Sequence, residues 1–421
     1  MKNNIIYPAQ METQSFGRLV VRIVEDSGFV PIPNAIVQIA NENDPETTVA
    51  EIRTDESGIT GPVELLTPPE EYSLEAESPM PYSEYTITAN AENFESAQIH
   101  GAQILPNTVA SQPIEMAQVN DADPYENNVI NVEPHTLYGD YPPKIAEDEI
   151  KPIDETGEIV LSQVVVPEFV IVHDGTPTDT SAPNYYIRYR DYIKNVVSSE
   201  IYATWPESSI YANILAIMSF TLNRVFTEWY RNQGFNFTIT SSTAFDHKWM
   251  KGRNIYTNLA IAVDDIFNNY LSRPNVLQPI LTQYCDGVNV TCPGWLSQWG
   301  SKDLGSRGND AIDILRNYYG SSIFINEAPI VAGVPSSFPG YDLNIGASGD
   351  NVRQIQNQLN AVADVYSAIP HVAVDGIFGN NTANSVRAFQ NVFGLPTTGV
   401  VDFPTWYRIS ELYVAVSRIA E

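Results

Sequence analysis

The sequence predicts a multidomain protein: an N-terminal all-β sandwich, a central α+β domain and a small helical C-terminal module. Three observations carry that order. At 421 residues the chain is longer than one hydrophobic core usually serves. Its charge is uneven, with 29 acids and 6 bases in residues 1–166 against 22 and 16 in the remainder. The apolar pattern also changes near Pro167, from short alternating runs to helical spacing.

Composition excludes several classes. Hydrophobic content of 43% with 17% charge is that of a folding chain rather than a disordered one. A net charge of -29 with no Lys/Arg cluster argues against nucleic-acid and anionic-membrane partners, which need basic patches. No apolar run approaches the roughly 18 residues of a membrane span. The start, MKNNIIYPAQ, lacks the apolar region and small-residue site of a secretion signal, so export is expected to use another route.

The elements follow in order. Between Phe16 and Met116 the runs LVVRIV, AIVQIA, TVAEIRT, PVELL, YTITA and AQIHGAQIL are separated by Gly, Pro, Asn and Asp, the spacing of an all-β sandwich over residues 1–117. The phrase from Gly28 to Gly58, GFVPIPNAIVQIA then TDESGIT, resembles the transthyretin-like or carboxypeptidase-regulatory β-sandwich. Residues 118–166 carry the acidic runs DADPYE, AEDEI and DETGE with several prolines and read as a protease-accessible linker. From 167 to 327 the pattern is aromatic and helical. NYYIRYRDYIKNVVSSE reads as one helix. Trp205-Pro206 opens a second, running to about Arg231, with Ile210, Ile214, Ile217, Met218, Leu222 and Val225 at helical spacing. FNFTITSS reads as a strand, and NLAIAVDDIFNNYL and DAIDILRNYYG as further helices. Residues 328–340, APIVAGVPSSFPG, form a second linker, and 341–412 a compact repeat-like module.

In that module Gly349, Val352, Ile355, Gln356 and Leu359, then Val374-Asp375-Gly376-Ile377-Phe378-Gly379, Thr382, Val386, Phe389-Gln390, Gly394-Leu395, Gly399, Val401 and Thr405-Trp406 are similar to the peptidoglycan-binding type 1 domain. Read as chemistry these are core and turn residues. Wall binding is what the resemblance implies.

The central region resembles the SpoIID/LytB family, and within it the cortex-lytic enzymes. The resemblance is carried by Tyr192-Ile193 through Ser199-Glu200, Thr204-Trp205-Pro206, the helix SIYANILAIMSFTLNR, TEWYR, FTITSSTAFD, and CPGWLSQWGSKDLGSRG leading into ILRNYYG. It implies a lytic transglycosylase with Glu200 as the catalytic carboxylate. One carboxylate suffices for that reaction, because the sugar's own C6 hydroxyl displaces the leaving group, whereas a hydrolase normally uses two. Tyr192, Tyr202 and Trp205 are candidate aromatic walls. Arg224, Ser241, Ser242, Thr243, Asp246, Ser297, Gln298 and Trp299 are, with Trp205, the implied substrate-binding set. No cofactor and no metal is expected. Related proteins hold zinc with Cys and His, but the five histidines here are scattered, which leaves Cys285 and Cys292 as a local disulfide or two free thiols.

Two departures stand out. Met218 occupies the place where the family usually has an Arg, and His247 follows Asp246 where an amide is expected. Arg224 or His247 either replaces the missing polar contact or is structural. The implied partners are peptidoglycan glycan strands and an activating, subtilisin-like germination protease, and the implied location is the spore cortex or coat region. The rival expectations are a muramidase-type hydrolase of the vegetative wall and a wall-binding protein without catalysis.

Overall fold

The computed structural model describes residues 14–26, 28–119, 128–151 and 161–419. Eight strands build the N-terminal part: β1 (Ser15–Glu25), β2 (Ile36–Asn41), β3 (Asp44–Arg53), β4 (Val63–Thr67), β5 (Ser83–Asn90), β6 (Ala97–Ile104), β7 (Val109–Met116) and β8 (Asn128–Asn131). They form two sandwich-like sheets around Leu19, Val21, Ile23, Val37, Ile39, Ile87 and Ile99, all at most 1% exposed. Alternation puts these side chains inward and their neighbours outward. One sheet has the order β3-β2-β5-β6-β8. In the other, β1 runs antiparallel to β4 and parallel to β7. Its β7 edge is closed by a strand from the central domain, β13 (Ile255–Tyr256), with Ile255 opposite Ser111 and Tyr256 opposite Ala110. An edge that would otherwise offer unpaired backbone groups thus joins sandwich to central domain.

The central domain is built on α2 (Glu207–Phe226), which is buried on nearly every side, as a helix apolar all round must be. Around it lie α1 (Tyr189–Glu200), α4 (Thr257–Ile266), α5 (Gln298–Ser306) and α6 (Ala311–Tyr319), with the short helix α3 (Trp229–Asn232) following α2. Small sheets complete it: β11-β10-β12 (Asn184–Arg188, Phe169–His173, Ile239–Thr240), β14-β17 (Asn269–Ser272, Phe324–Glu327), β15-β16 (Tyr284–Cys285, Leu296–Ser297) and β18-β9 (Ile330–Val331, Val165–Val166).

Several expected boundaries move. NYYIRYRDYIKNVVSSE is not one helix: Asn184–Arg188 is a strand paired with β10, and the helix begins at Tyr189. The second helix stops at Phe226, because Glu228 adopts φ +46° and cannot continue it. The third expected helix, NLAIAVDDIFNNYL, ends at Ile266 and turns into strand β14 after Phe267. Residues 128–151, in the stretch expected to be a linker, carry β8 and then an extended segment packed on the central domain.

The C-terminal module holds α7 (Asp350–Ala363), α8 (Asn380–Phe393) and α9 (Phe403–Ile419) and is an internal repeat. In the first half Gln356 accepts from the Gly376 amide at 2.8 Å and donates to the Ile377 carbonyl at 3.0 Å. In the second, Gln390 accepts from the Gly399 amide at 2.8 Å and donates to the Val400 carbonyl at 2.9 Å. Gly376 and Gly399 both have φ +75°, a conformation that strains any residue with a Cβ. The module docks on both other parts. Phe403 and Tyr407 pack on Phe267, Glu411 pairs with Arg190, and the Tyr366 hydroxyl donates to the Phe29 carbonyl at 2.7 Å. Among the described residues no helix is long and apolar enough to cross a membrane.

Candidate functional site

Helix α1 delivers Glu200. Tyr192, Ile193, Val196 and Val197 recur at helical spacing and are fully buried. The helix ends at Glu200, because Ile201 turns to extended backbone with φ -138° and ψ 156°. A helix C-terminus leaves carbonyls without intrahelical partners, and here four successive ones receive donors from elsewhere. The Ser198 carbonyl accepts from the Arg253 Nε at 3.0 Å, and that of Ser199 from the Thr136 amide and hydroxyl at 3.2 and 2.8 Å. The Glu200 carbonyl accepts from Gln298 Nε2 at 3.0 Å, and that of Ile201 lies 3.3 Å from His135 Nε2. Thr136 and His135 belong to the segment that follows the sandwich, so a stretch well before the central domain completes the end of the helix that bears Glu200.

Glu200 is 3% exposed and lines a cleft of about 350 Å³ together with Thr136, Tyr138, Lys144, Thr243, Tyr284 and Gln298. Its Oε1 accepts from the Lys248 amide at 2.9 Å. Its Oε2 accepts from Gln298 Nε2 at 3.1 Å and faces the Thr136 hydroxyl at 3.3 Å. Tyr284 lines the same cleft, and burial first, then Glu200, push the ionisation of its phenol well above the usual value. Behind Tyr284, His247 Nδ1 lies 2.7 Å from the same hydroxyl. His247 is fully buried, and that burial, with Lys144 and Arg224 nearby, holds its imidazole well below the usual pKa.

The expected substrate-binding residues separate into two groups. Thr243 and Gln298 line the cleft with Glu200. The others do not line it. Trp205 and Trp299 pack against each other at 5.0 Å, both buried, and the Trp205 indole donates to the Ser73 carbonyl of the sandwich at 2.9 Å. Asp246 is 0% exposed. Its carboxylate accepts from Arg224 Nε at 2.7 Å, the Tyr230 hydroxyl at 2.7 Å and the Thr240 amide at 2.9 Å, which leaves nothing for a ligand. Ser297 caps α5 by accepting from the Gly300 amide at 2.9 Å. Ser241 is buried beside His173, to whose carbonyl its amide donates, and Ser242 supplies the carbonyl of the turn that positions Asp246. Met218 is buried in the core, and Arg224 is the cation that ties Asp246 to Glu147. Cys285 and Cys292 form a disulfide whose Cys285 end borders the cleft.

Tyr284, Thr136 and Lys144 escaped the sequence reading. Nothing in their spacing signals a site, since each reaches the cleft of Glu200 from a distant part of the chain. Residues 133–151 form an extended strap across the cleft side of the central domain. Lys144 donates to the Asp246 carbonyl and sits 4.5 Å above the Tyr284 ring. Burial pulls its ammonium below the usual pKa, although Glu200 and Asp246 lie close. Glu147 takes Arg224 through two hydrogen bonds of 3.0 and 2.6 Å, Glu149 takes Arg273 through two of 2.6 and 2.7 Å, and Glu133 pairs with Lys248. The strap's backbone is bonded too, Ile145 N to the Ala244 carbonyl at 2.7 Å and Glu147 N to Gln283 Oε1 at 2.9 Å.

Residues 348–409 match the family described as "Putative peptidoglycan binding domain". No curated protein matches the chain. Among solved structures, the N-terminal domain of SleB is similar at 31% identity over 18% of this chain and 99% of its own, with a TM-score of 0.16. The 5-hydroxyisourate hydrolase of Klebsiella pneumoniae is similar at 18% identity over 24% of this chain and 92% of its own, with a TM-score of 0.16. The minor pilin GBS52 of Streptococcus agalactiae is similar at 12% identity over 27% and 49%, with a TM-score of 0.19. With the family match on the C-terminal repeat, the chain carries a peptidoglycan-binding domain and has a cell-wall-related function.

Proposed function

We propose that the chain is the precursor of a lytic transglycosylase that cuts the glycan strands of spore-cortex peptidoglycan during germination, with Glu200 as its acid and base. The observation that carries this reading is the place of Glu200, a buried carboxyl at the end of α1 that lines the cleft and is held by neutral donors, the Lys248 amide, Gln298 and Thr136, rather than by an ion pair. Asp246 is saturated by Arg224, Tyr230 and Thr240. Asp286 is engaged by the amides of Val288, Asn289 and Val290 in its own loop. Asp140 belongs to the strap. An ordinary glycoside hydrolase uses two carboxylates flanking the scissile bond. With one, the chemistry balances if the substrate supplies its own nucleophile. Glu200 gives its proton to the glycosidic oxygen, the bond from that oxygen to C1 breaks, and the C6 hydroxyl of the same muramyl residue bonds to C1. That hydroxyl's proton returns to Glu200. The product is a 1,6-anhydro-muramyl end, and no cofactor is required.

The strap supports latency. A polymeric glycan cannot lie along Thr243, Gln298 and Glu200 while Lys144 and its neighbours occupy that side of the cleft. The sandwich itself grips the far side through β13, Trp205 and Arg253, so in this reading the strap, and not the sandwich, is the occluding element. Cleavage by a germination protease is expected within residues 120–165. Of that stretch, 120–127 and 152–160, on either side of the strap, lie outside the described residues. The sequence resemblance among cortex-lytic enzymes is to SleC, which agrees with a processed precursor acting in the cortex or coat region. The disulfide suits an oxidising location of that kind.

The test is mass spectrometry of cortex digested by the chain before and after limited proteolysis. Anhydro-muramyl ends are expected, and Glu200→Gln should lower their rate of appearance by at least about 100-fold with the fold unchanged by circular dichroism. Reducing ends would identify a muramidase instead. Release of no fragments at all, with retained wall binding, would identify a non-catalytic wall protein.

A further inference from the structure

Past the cleft, the groove beneath the strap reads an extended backbone and two acidic side chains. From Ile145 to Lys151 the strap's main-chain bonds fall on alternate residues, as at a sheet edge. Ile145 N donates to the Ala244 carbonyl at 2.7 Å, and the Ile145 carbonyl accepts from Gln283 Nε2 at 2.6 Å. Glu147 N donates to Gln283 Oε1 at 2.9 Å, and the Glu149 carbonyl accepts from Leu281 N at 2.8 Å. Gln278 takes both main-chain groups of Lys151, the amide at 2.7 Å and the carbonyl at 3.2 Å. These bonds use no strap side chain, so they hold whatever residues the extended chain carries. Selectivity comes from two cations. Glu147 and Glu149 turn inward while Asp148 between them is exposed, which presents carboxylates about 7 Å apart, one to Arg224 and one to Arg273. Both guanidiniums are anchored by the central domain itself. Arg224 is fixed by Asp246 at 2.7 Å and the Phe245 carbonyl at 3.2 Å, and Arg273 by Ser322 Oγ at 2.7 Å and the Tyr319 carbonyl at 2.6 Å. Without the strap they remain aimed into the groove.

We propose that this groove is a binding site for an extended acidic peptide, continuous with the Glu200 cleft, and that in the processed protein its occupant is the peptide borne by the glycan strand lying in that cleft. Main-chain hydrogen bonds supply affinity without regard to sequence, and the two positive pockets select carboxylates, which is the division of labour in strand addition. Peptidoglycan carries short peptides with free carboxylates on its muramyl residues, so the strap fills the groove with the chemistry of the substrate's own peptide. Lys144 joins the two regions. It lines the cleft with Glu200, and Glu147 follows within about 10 Å of extended chain. The inference rests on release of the strap and on peptidoglycan as the substrate of the cleft.

Hydrogen exchange and kinetics on the full chain cut by limited proteolysis test it. The Leu281 amide, bonded to Glu149 in the uncut chain, should exchange at least about 10-fold faster after cutting. Peptides released from peptidoglycan by an amidase should restore its protection, and the same peptides with their carboxylates amidated should not. Arg273→Gln should abolish the restoration. In turnover, glycan strands bearing their peptides should show a KM about 10-fold below that of the same strands stripped of them, at similar kcat, and Arg273→Gln should bring the two KM values together. A Leu281 amide left unprotected by the wall peptides, or protected equally by the amidated ones, would overturn the proposal. So would a Leu281 amide still protected after cutting, because the groove would then belong to the strap alone. Protection restored by the wall peptides in a cut chain that releases no glycan fragments would keep the peptide site and remove instead the lytic reading of Glu200.

Discussion

Glu147→Ala should open the strap. The Glu147 side chain is 15% exposed and that of Arg224 0%, so the two hydrogen bonds between them are charge-assisted and little screened. Removing one partner of a buried pair costs about 3–5 kcal/mol when the other charge is left bare. Arg224 keeps Asp246 at 2.7 Å and the Phe245 carbonyl at 3.2 Å, so a loss of about 2–3 kcal/mol is expected. That corresponds to a rise of roughly 30- to 150-fold in the open fraction. Native-state hydrogen exchange on the full chain reads it directly at the amides of Ile145, Glu147 and Lys151, which bond to Ala244, Gln283 and Gln278. Their protection should fall by that factor while the amides of β1 and β7 hold theirs, and uncut protein should gain activity on soluble glycan. The pH dependence has a definite sign. Burial raises the Glu147 carboxyl, but its bonds from Arg224 and Lys151 prevail and hold it below its ordinary value. A depressed carboxylate stabilises fully above its unfolded pKa and loses that contribution as pH falls through the folded one. The wild-type strap should therefore hold unchanged from about pH 5 to 8 and loosen only in stronger acid. Unaltered exchange at the three strap amides in Glu147→Ala would refute the reasoning.

Two further perturbations separate the other contacts. Gln103→Leu removes the side-chain acceptor that Gln103 gives buried Arg253, leaving that guanidinium the Ser198 carbonyl. A loss of about 1–3 kcal/mol should appear as faster exchange across the β7–β13 pairing. Because that contact is strand pairing and hydrogen bonds to neutral groups, 0.5 M salt should leave it in place, and release by salt alone would contradict the assignment. Glu411→Ala leaves Arg408 and Arg190 without the carboxylate that joins them, although Arg190 keeps Asp264 at 3.2 Å. The C-terminal module should then unfold ahead of the central domain in calorimetry, and a single unchanged transition would count against docking through this residue.

The sandwich strands, the central helix α2 and the three-helix module were legible because each is written in a local period. Leu19, Val21 and Ile23 alternate inward, Ile210, Ile214, Ile217 and Leu222 recur at helical spacing, and Gly376 and Gly399 mark the turns of the two half-repeats. The split of α1 from β11 was not legible. NYYIR and YRDYI have similar local patterns, and only the antiparallel pairing of Asn184 with His173 and Arg188 with Phe169 makes the first a strand. Residues 133–151 misled for a related reason. Acidic, proline-containing sequence has no period, yet Glu147 and Glu149 are held because Arg224 and Arg273 lie where the strap passes.

By itself the sequence determined where Glu200 falls, at the end of an apolar-faced helix ahead of Trp205-Pro206, and that a wall-binding type of module follows. Tertiary structure alone decided what surrounds that carboxyl. Thr136, Lys248 and Gln298 come to Glu200 from separate segments, and Tyr284, backed by His247, joins it in lining the cleft. It also decided that Asp246, Trp205 and Trp299 turn away from the cleft. The physical reason is that a buried polar group must find its partner wherever the fold brings one. Asp246 is claimed by Arg224, Tyr230 and Thr240, and the carbonyls ending α1 are claimed by His135, Thr136, Arg253 and Gln298. No periodicity in the chain encodes such pairings, because they form only when distant elements pack.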